Sequence, residues 1–138
     1  PNAVATSVTI AFSKMAPLRI DRNLGPSHLA AIGPFMGGQL WLGADGARGR
    51  PVCLKRRWLV FQASGPHRTL PFSGCRAYVA FYVDKAAPRM SGDLRRSLRQ
   101  LGVPSPSLAQ LRTFQAESRA LPSETQRMTE ATGTAGVP

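Results

Sequence analysis

The residues predict a mostly β chain followed by a short helical region, and three observations carry that reading. Short runs rich in β-branched and aromatic residues recur at close spacing as far as Val83, Gly and Pro separate them, and no helical period shows before that point. Beyond Val83 leucines recur at helical spacing instead. Residues 1–90 therefore read as one antiparallel β-domain, a sandwich or barrel, followed by a helical extension over 91–121 and a disordered tail over 122–138.

Val4, Thr6, Val8, Ile10 and Phe12 alternate with smaller or polar residues, which predicts a half-buried strand with that set turned to the core. A turn at Lys14 to Ala16 follows, then a short segment from Pro17 to Asp21. Arg22 to Ser27 has the composition of a loop. His28 to Ile32 is an apolar run, broken at Gly33-Pro34, and Gly37-Gly38 leads into a strand over Gln39 to Leu42. Gly43 to Pro51 reads as a hairpin loop, after which Val52 to Lys55 pairs back.

From Trp58 onward three strands are expected: Trp58 to Phe61, one opening on His67 after a Gly65-Pro66 turn, and Arg76 to Tyr82 after a Pro71 to Gly74 turn. Ser91 is placed to cap a helix over Asp93 to Leu101, with Leu94, Leu98 and Leu101 on one stripe and Gly102 ending it. Leu108, Leu111 and Phe114 mark a weaker second helix, and both stripes are expected to pack on the sheet. Pro1 stands where an initiator Met would, and a strand follows almost at once, so the chain reads as part of a longer protein.

A formal charge of +11 suits incidental polyanion binding, yet the basic residues are scattered. Only Lys55-Arg56-Arg57 and Arg95-Arg96 form runs, with no nucleic-acid-reading motif beside them. No apolar stretch is long enough to cross a bilayer, so no membrane is expected as a partner. Cys53 and Cys75 match no metal-finger spacing or disulfide framework; they read as small buried or half-buried thiols in a reducing, intracellular setting. Nucleophilic catalysis finds no support, because no nucleophile elbow precedes a helix. Gly37-Gly38 is no phosphate loop, since no helix with a Lys follows.

His67 and Arg76, nine residues apart at the starts of strands read as neighbours, are the candidate site residues. One reading is a metal-binding His with an Arg that grips a carboxylate; the other is a His and an Arg at a strand rim.

The segments Leu24-Gly25-Pro26-Ser27, Ile32-Gly33-Pro34-Phe35, Gly37-Gly38-Gln39-Leu40-Trp41, Arg57-Trp58 with Phe61, and Pro66-His67-Arg68-Thr69-Leu70-Pro71-Phe72 with Gly74 and Arg76 resemble the iron(II)- and 2-oxoglutarate-dependent oxygenases. Within that superfamily they look most like the prolyl-hydroxylase-like and retroelement- or virus-associated members of protists, over about residues 5–85. The resemblance implies a double-stranded β-helix, or jelly roll, with Fe(II) and 2-oxoglutarate as cofactors. It also implies decarboxylation of 2-oxoglutarate coupled to hydroxylation of a peptide or nucleic-acid substrate. By similarity His67 is the distal metal ligand, Arg76 grips the far carboxylate of 2-oxoglutarate, and Tyr78 adds a hydroxyl to it. A core tyrosine is the alternative for Tyr78.

The chain departs from the family at its H-x-D motif. Alignment on the Gly-Pro-Ser loop puts Arg19-Ile20-Asp21 there, which keeps the carboxylate and replaces the His; the other alignment puts Asp21-Arg22-Asn23 there. A guanidinium has no lone pair for iron, which leaves Asp21 and His67 as the metal residues. His28 is a substitute ligand or else a strand-start residue at the sheet rim. Two expectations follow: a dioxygenase with an incomplete metal set, or a non-catalytic binding or structural module that keeps the cage and its carboxylate pocket without metal.

Overall fold

The computed structural model describes residues 3–12, 16–43 and 48–120. The expected tail over 122–138 and the turn at Lys14 and Met15 lie outside these residues. The described chain is mostly β, with antiparallel strand pairing and two C-terminal helices. The strands are β1 (Ser7–Phe12), β2 (Ala16–Arg19), β3 (Leu24–Ile32), β4 (Phe35–Gly37), β5 (Leu40–Leu42), β6 (Arg50–Val52), β7 (Leu59–Phe61), β8 (His67–Thr69), β9 (Phe72–Gly74) and β10 (Ala77–Val83). Two four-stranded sheets, ordered β1-β10-β3-β7 and β2-β8-β5-β6, are accompanied by the two-stranded pair β4-β9.

The pairings of β3 with β10, β4 with β9 and β5 with β8 are nested. Residues 24–42 thus run antiparallel to residues 67–83 as one long ribbon, which passes from the first sheet to the second through β4 and β9. Glycines make the passage possible. Gly74 has φ +89°, and a Cβ there would stand 2.3 Å from the Pro34 carbonyl oxygen. The Pro71 to Gly74 turn is therefore a paired strand from Phe72, and it separates His67 from Arg76: the two do not lie on adjacent strands.

The expected loop over Arg22 to Ser27 is also strand from Leu24 onward. Gly25, at φ +62°, lies where the pairing of β3 with β10 shifts register, a bulge that accommodates Pro26. Helix α2 (Leu108–Ala120) explains why this Gly-Pro stretch is drawn into the sheet. Its Phe114 ring lies over Gly25, at 2.7 Å from the position of a Cβ, and Leu111 is buried with Leu24, Val83 and Ala87. The helical region thus shares a core with the β residues. A second core cluster of Ala31, Phe35, Leu40 and Leu54 holds the ribbon at its crossing point.

Helix α1 (Gly92–Gln100) begins where its cap predicts, with Ser91 Oγ accepting the Leu94 N–H at 3.2 Å. Its leucine stripe does not pack as expected, since Leu94 and Leu101 are exposed. The buried residue of α1 is Arg95, which donates to the carbonyls of Pro106 and Met90, both at 3.4 Å.

Strand β1 reverses the expected facing. Ser7, Thr9 and Ala11 are the half-buried set, whereas Val8, Ile10 and Phe12 are exposed. Alternation identifies which residues share a face, but the neighbouring layer decides which face is inside. Cys53 and Cys75 are likewise exposed and free rather than buried.

Candidate functional site

A cleft of about 540 Å³ opens between the two four-stranded sheets. Strand parity decides what enters it. On β10 the period of two turns Tyr78, Ala80 and Tyr82 inward, and on β3 it turns Ser27 and Leu29 inward. The opposite wall is β2 with Pro17 and Arg19 and β8 with His67 and Thr69. Asp21, which follows β2, and Arg76, which precedes β10, line the same cleft. Five residues singled out in the sequence therefore share one cavity: His67, Arg76 and Tyr78 from one arm of the ribbon, and Arg19 and Asp21 from β2 and the residues after it.

Asp21, His67 and Arg19 form a compact cluster. Ala16 and Arg19 of β2 pair with Thr69 and His67 of β8, so backbone register brings Arg19 beside His67. Asp21 is tied in by its own N–H, which donates to the Ala63 carbonyl at 2.8 Å. His67 is buried, and its Nδ1 lies 2.9 Å from the Gly65 carbonyl. A carbonyl only accepts, so the proton sits on Nδ1 and Nε2 is the atom presented to the cluster. Nε2 lies 3.5 Å from Asp21 Oδ2, to which it donates when it carries a proton, and 3.4 Å from Arg19 Nε, from which it accepts when it does not. Arg19 Nε is also 3.5 Å from Asp21 Oδ1. Hydrogen bonding to His67 holds the Asp21 carboxyl below its ordinary range; burial acts against this, and the Arg19 charge adds to it.

Arg76 is built in differently. It is buried, and its guanidinium carbon lies 5.6 Å from the ring centres of both Phe35 and Phe72. Burial lowers its affinity for the proton, and neighbouring Tyr78 partly restores it. A planar cation clasped by two rings is pre-set in orientation, which suits a carboxylate that arrives from the cleft.

Fe(II), which the resemblance implies, calls for three converging donors with lone pairs. One carboxylate and one imidazole converge, and the third group at the cluster is a guanidinium without a lone pair. Among the described residues no group of three or more His, Cys, Asp or Glu side chains is placed to hold a metal. The residues present do not fit a resident iron. His28 does not repair the set: it pairs with Phe81 and Val60, on the face of β3 opposite the cleft-lining Ser27 and Leu29.

Sequence reasoning missed Tyr82, Thr69 and Thr9, which also line the cleft. Tyr82 Oη lies 3.4 Å from Thr9 Oγ1. The signal was available for two of them, since Tyr82 is four residues from Tyr78 and Thr69 two from His67, the same-face spacing of a strand.

A scan against models of known protein families finds no match to this chain, and a search of curated proteins finds none either.

Proposed function

We propose that this chain is a double-stranded β-helix domain of the 2-oxoglutarate oxygenase type that acts as a metal-independent binding module for a small dicarboxylate. The observation that carries the reading is the meeting of Asp21, His67, Arg76 and Tyr78 in one cleft. The nested ribbon, both arms of which pass from sheet to sheet, supports the jelly-roll part.

Arg76 and Tyr78 take one carboxylate of the ligand, and the Arg19 guanidinium takes the place that a metal cation would fill. Arg19 neutralises Asp21, so a second negative group can approach the cluster without meeting bare carboxylate charge. The cleft binds and orients, and no bond is broken.

Isothermal titration of metal-free protein with 2-oxoglutarate tests this. A dissociation constant of about 0.1–1 mM is expected, with binding abolished in Arg76→Gln. Undetectable binding by a folded wild-type protein refutes the reading.

The second reading is the dioxygenase that the resemblance implies, for which Asp21 and His67 Nε2 are two converging donors and Arg19 stands in the place of the third. Its test is anaerobic addition of 2-oxoglutarate after iron loading. A metal-to-ligand charge-transfer band supports this reading, and its absence with 2-oxoglutarate bound supports the first.

A further inference from the structure

The sheet β1-β10-β3-β7 has two faces: the inner one lines the cleft, and among the described residues the outer one is covered only at its Leu24 and Val83 end, where Leu111 and Phe114 of α2 pack. The four strands contain no Lys, Arg, Asp or Glu. Register places Val8 opposite Phe81 and Ile10 opposite Val79 on the outward side, with Ala30 and His28 next across. Ile10 is 71% exposed, Trp58 58%, Val60 51% and Ile32 50%. Trp58, next to β7, stacks at a tilt on Phe81 of β10, ring centres 5.5 Å apart, so an aromatic pair bridges the strand between them. Taking about 4.8 Å between strands and about 3.3 Å per residue, the part that α2 leaves open, from Val8 to Phe12 and across to Trp58, measures roughly 15 by 15 Å. A charge-free apolar face of that extent on a chain of this size is what an interaction surface looks like.

We propose that this outward face docks an amphipathic helix of a partner protein, with the helix's apolar stripe bordered on one side by carboxylates. Charge complementarity selects that occupant. Arg56 and Arg57 are exposed and stand at one corner of the face, immediately before Trp58. The backbone N–H of Arg56 donates to the Ala31 carbonyl at 3.3 Å and that of Arg57 to the Leu54 carbonyl at 3.2 Å, so the turn is pinned to the end of β3 beside Ile32. No acidic residue on the face's strands answers them. A one-sided acidic border on a helix matches a basic corner, and the helix, about 10 Å across, fits over two or three strands. A second copy of this chain fits poorly, because two molecules of charge +11 repel. A lipid surface calls for basic residues around the whole rim rather than at one corner.

The test uses two labelled helical peptides of about 18 residues, long enough to span the face. Both carry the same leucine stripe, one flanked by Glu and the other by Lys. Fluorescence anisotropy with the full chain should show the Glu peptide binding at least about tenfold tighter. Ile10→Glu should weaken it at least about tenfold, and Ile10→Ser serves where Ile10→Glu alters the circular dichroism. Arg56→Glu with Arg57→Glu should remove or reverse the preference for the Glu peptide. Equal binding of the two peptides overturns the proposal. So does wild-type affinity in a folded Ile10 variant, a concentration-dependent dimer that Ile10 substitution disperses, or displacement of the peptide by vesicles containing phosphatidylglycerol.

Discussion

Replacing Arg19 should turn the Asp21 and His67 pair into a better metal site, by an amount that the geometry bounds. Arg19 Nε lies 3.5 Å from Asp21 Oδ1, and half of the Arg19 side chain is exposed. Two unit charges at that distance interact by about 5 kcal/mol at an effective dielectric constant of about 20. Solvent exposure cuts this to about 1–2 kcal/mol. A dication feels the guanidinium twice as strongly, so its removal in Arg19→Ala is worth about 2–4 kcal/mol, or about 30–900-fold in affinity. Arg19→His should go further, because it supplies an imidazole where the guanidinium stood. Titration calorimetry with Co(II) or Ni(II), alongside circular dichroism to confirm folding, reads the effect. If both folded variants bind these metals no better than wild type, Arg19 is not what keeps metal out, and the account of the cluster fails.

Other expectations follow from the same geometry. Asp21 has its carboxyl pKa lowered from the ordinary 3.8, first by the hydrogen bond with His67. Its stabilisation is fully present above that value and is lost as pH falls through the lower folded-state value. Asp21→Asn should therefore flatten the acid limb of a stability-versus-pH curve measured by denaturant unfolding. Arg76→Met keeps the bulk between Phe35 and Phe72 but loses two cation–ring contacts, so urea unfolding should register a loss of about 1–3 kcal/mol. Gly74→Ala places a Cβ against the Pro34 carbonyl at a positive φ, and should lower stability by at least about 2–3 kcal/mol in the same assay.

What could be read from the residues follows the range over which each interaction acts. The start of α1 was legible because a cap is local: Ser91 and the Leu94 N–H are three residues apart. The breaks around Gly33 and Gly37 were legible for the same reason. His67 and Arg76 stood out as polar residues amid apolar strands, and the cleft does gather them with Asp21. Their placement on adjacent strands failed because Phe72 to Gly74 carries turn chemistry, yet pairs with β4 across a long sequence separation. Leu24 to Ser27 failed likewise, since Phe114, far along the chain, seats on Gly25. The outward turn of Val8 and Ile10 was illegible in principle, because a period of two is indifferent to which side is covered.

The nested ribbon also bears on how the protein assembles. Its innermost rung joins Leu42 to His67, and every outer rung closes only a little more chain once the one inside it has formed. Zippering from that apex would set the imidazole of residue 67 in place early and the phenol of residue 78 late. Quenched-flow hydrogen exchange should then find amides of β5 and β8 protected before those of β3 and β10. The cavity would be the last thing such a chain acquires, so a ligand that fills it recognises only molecules that have finished folding.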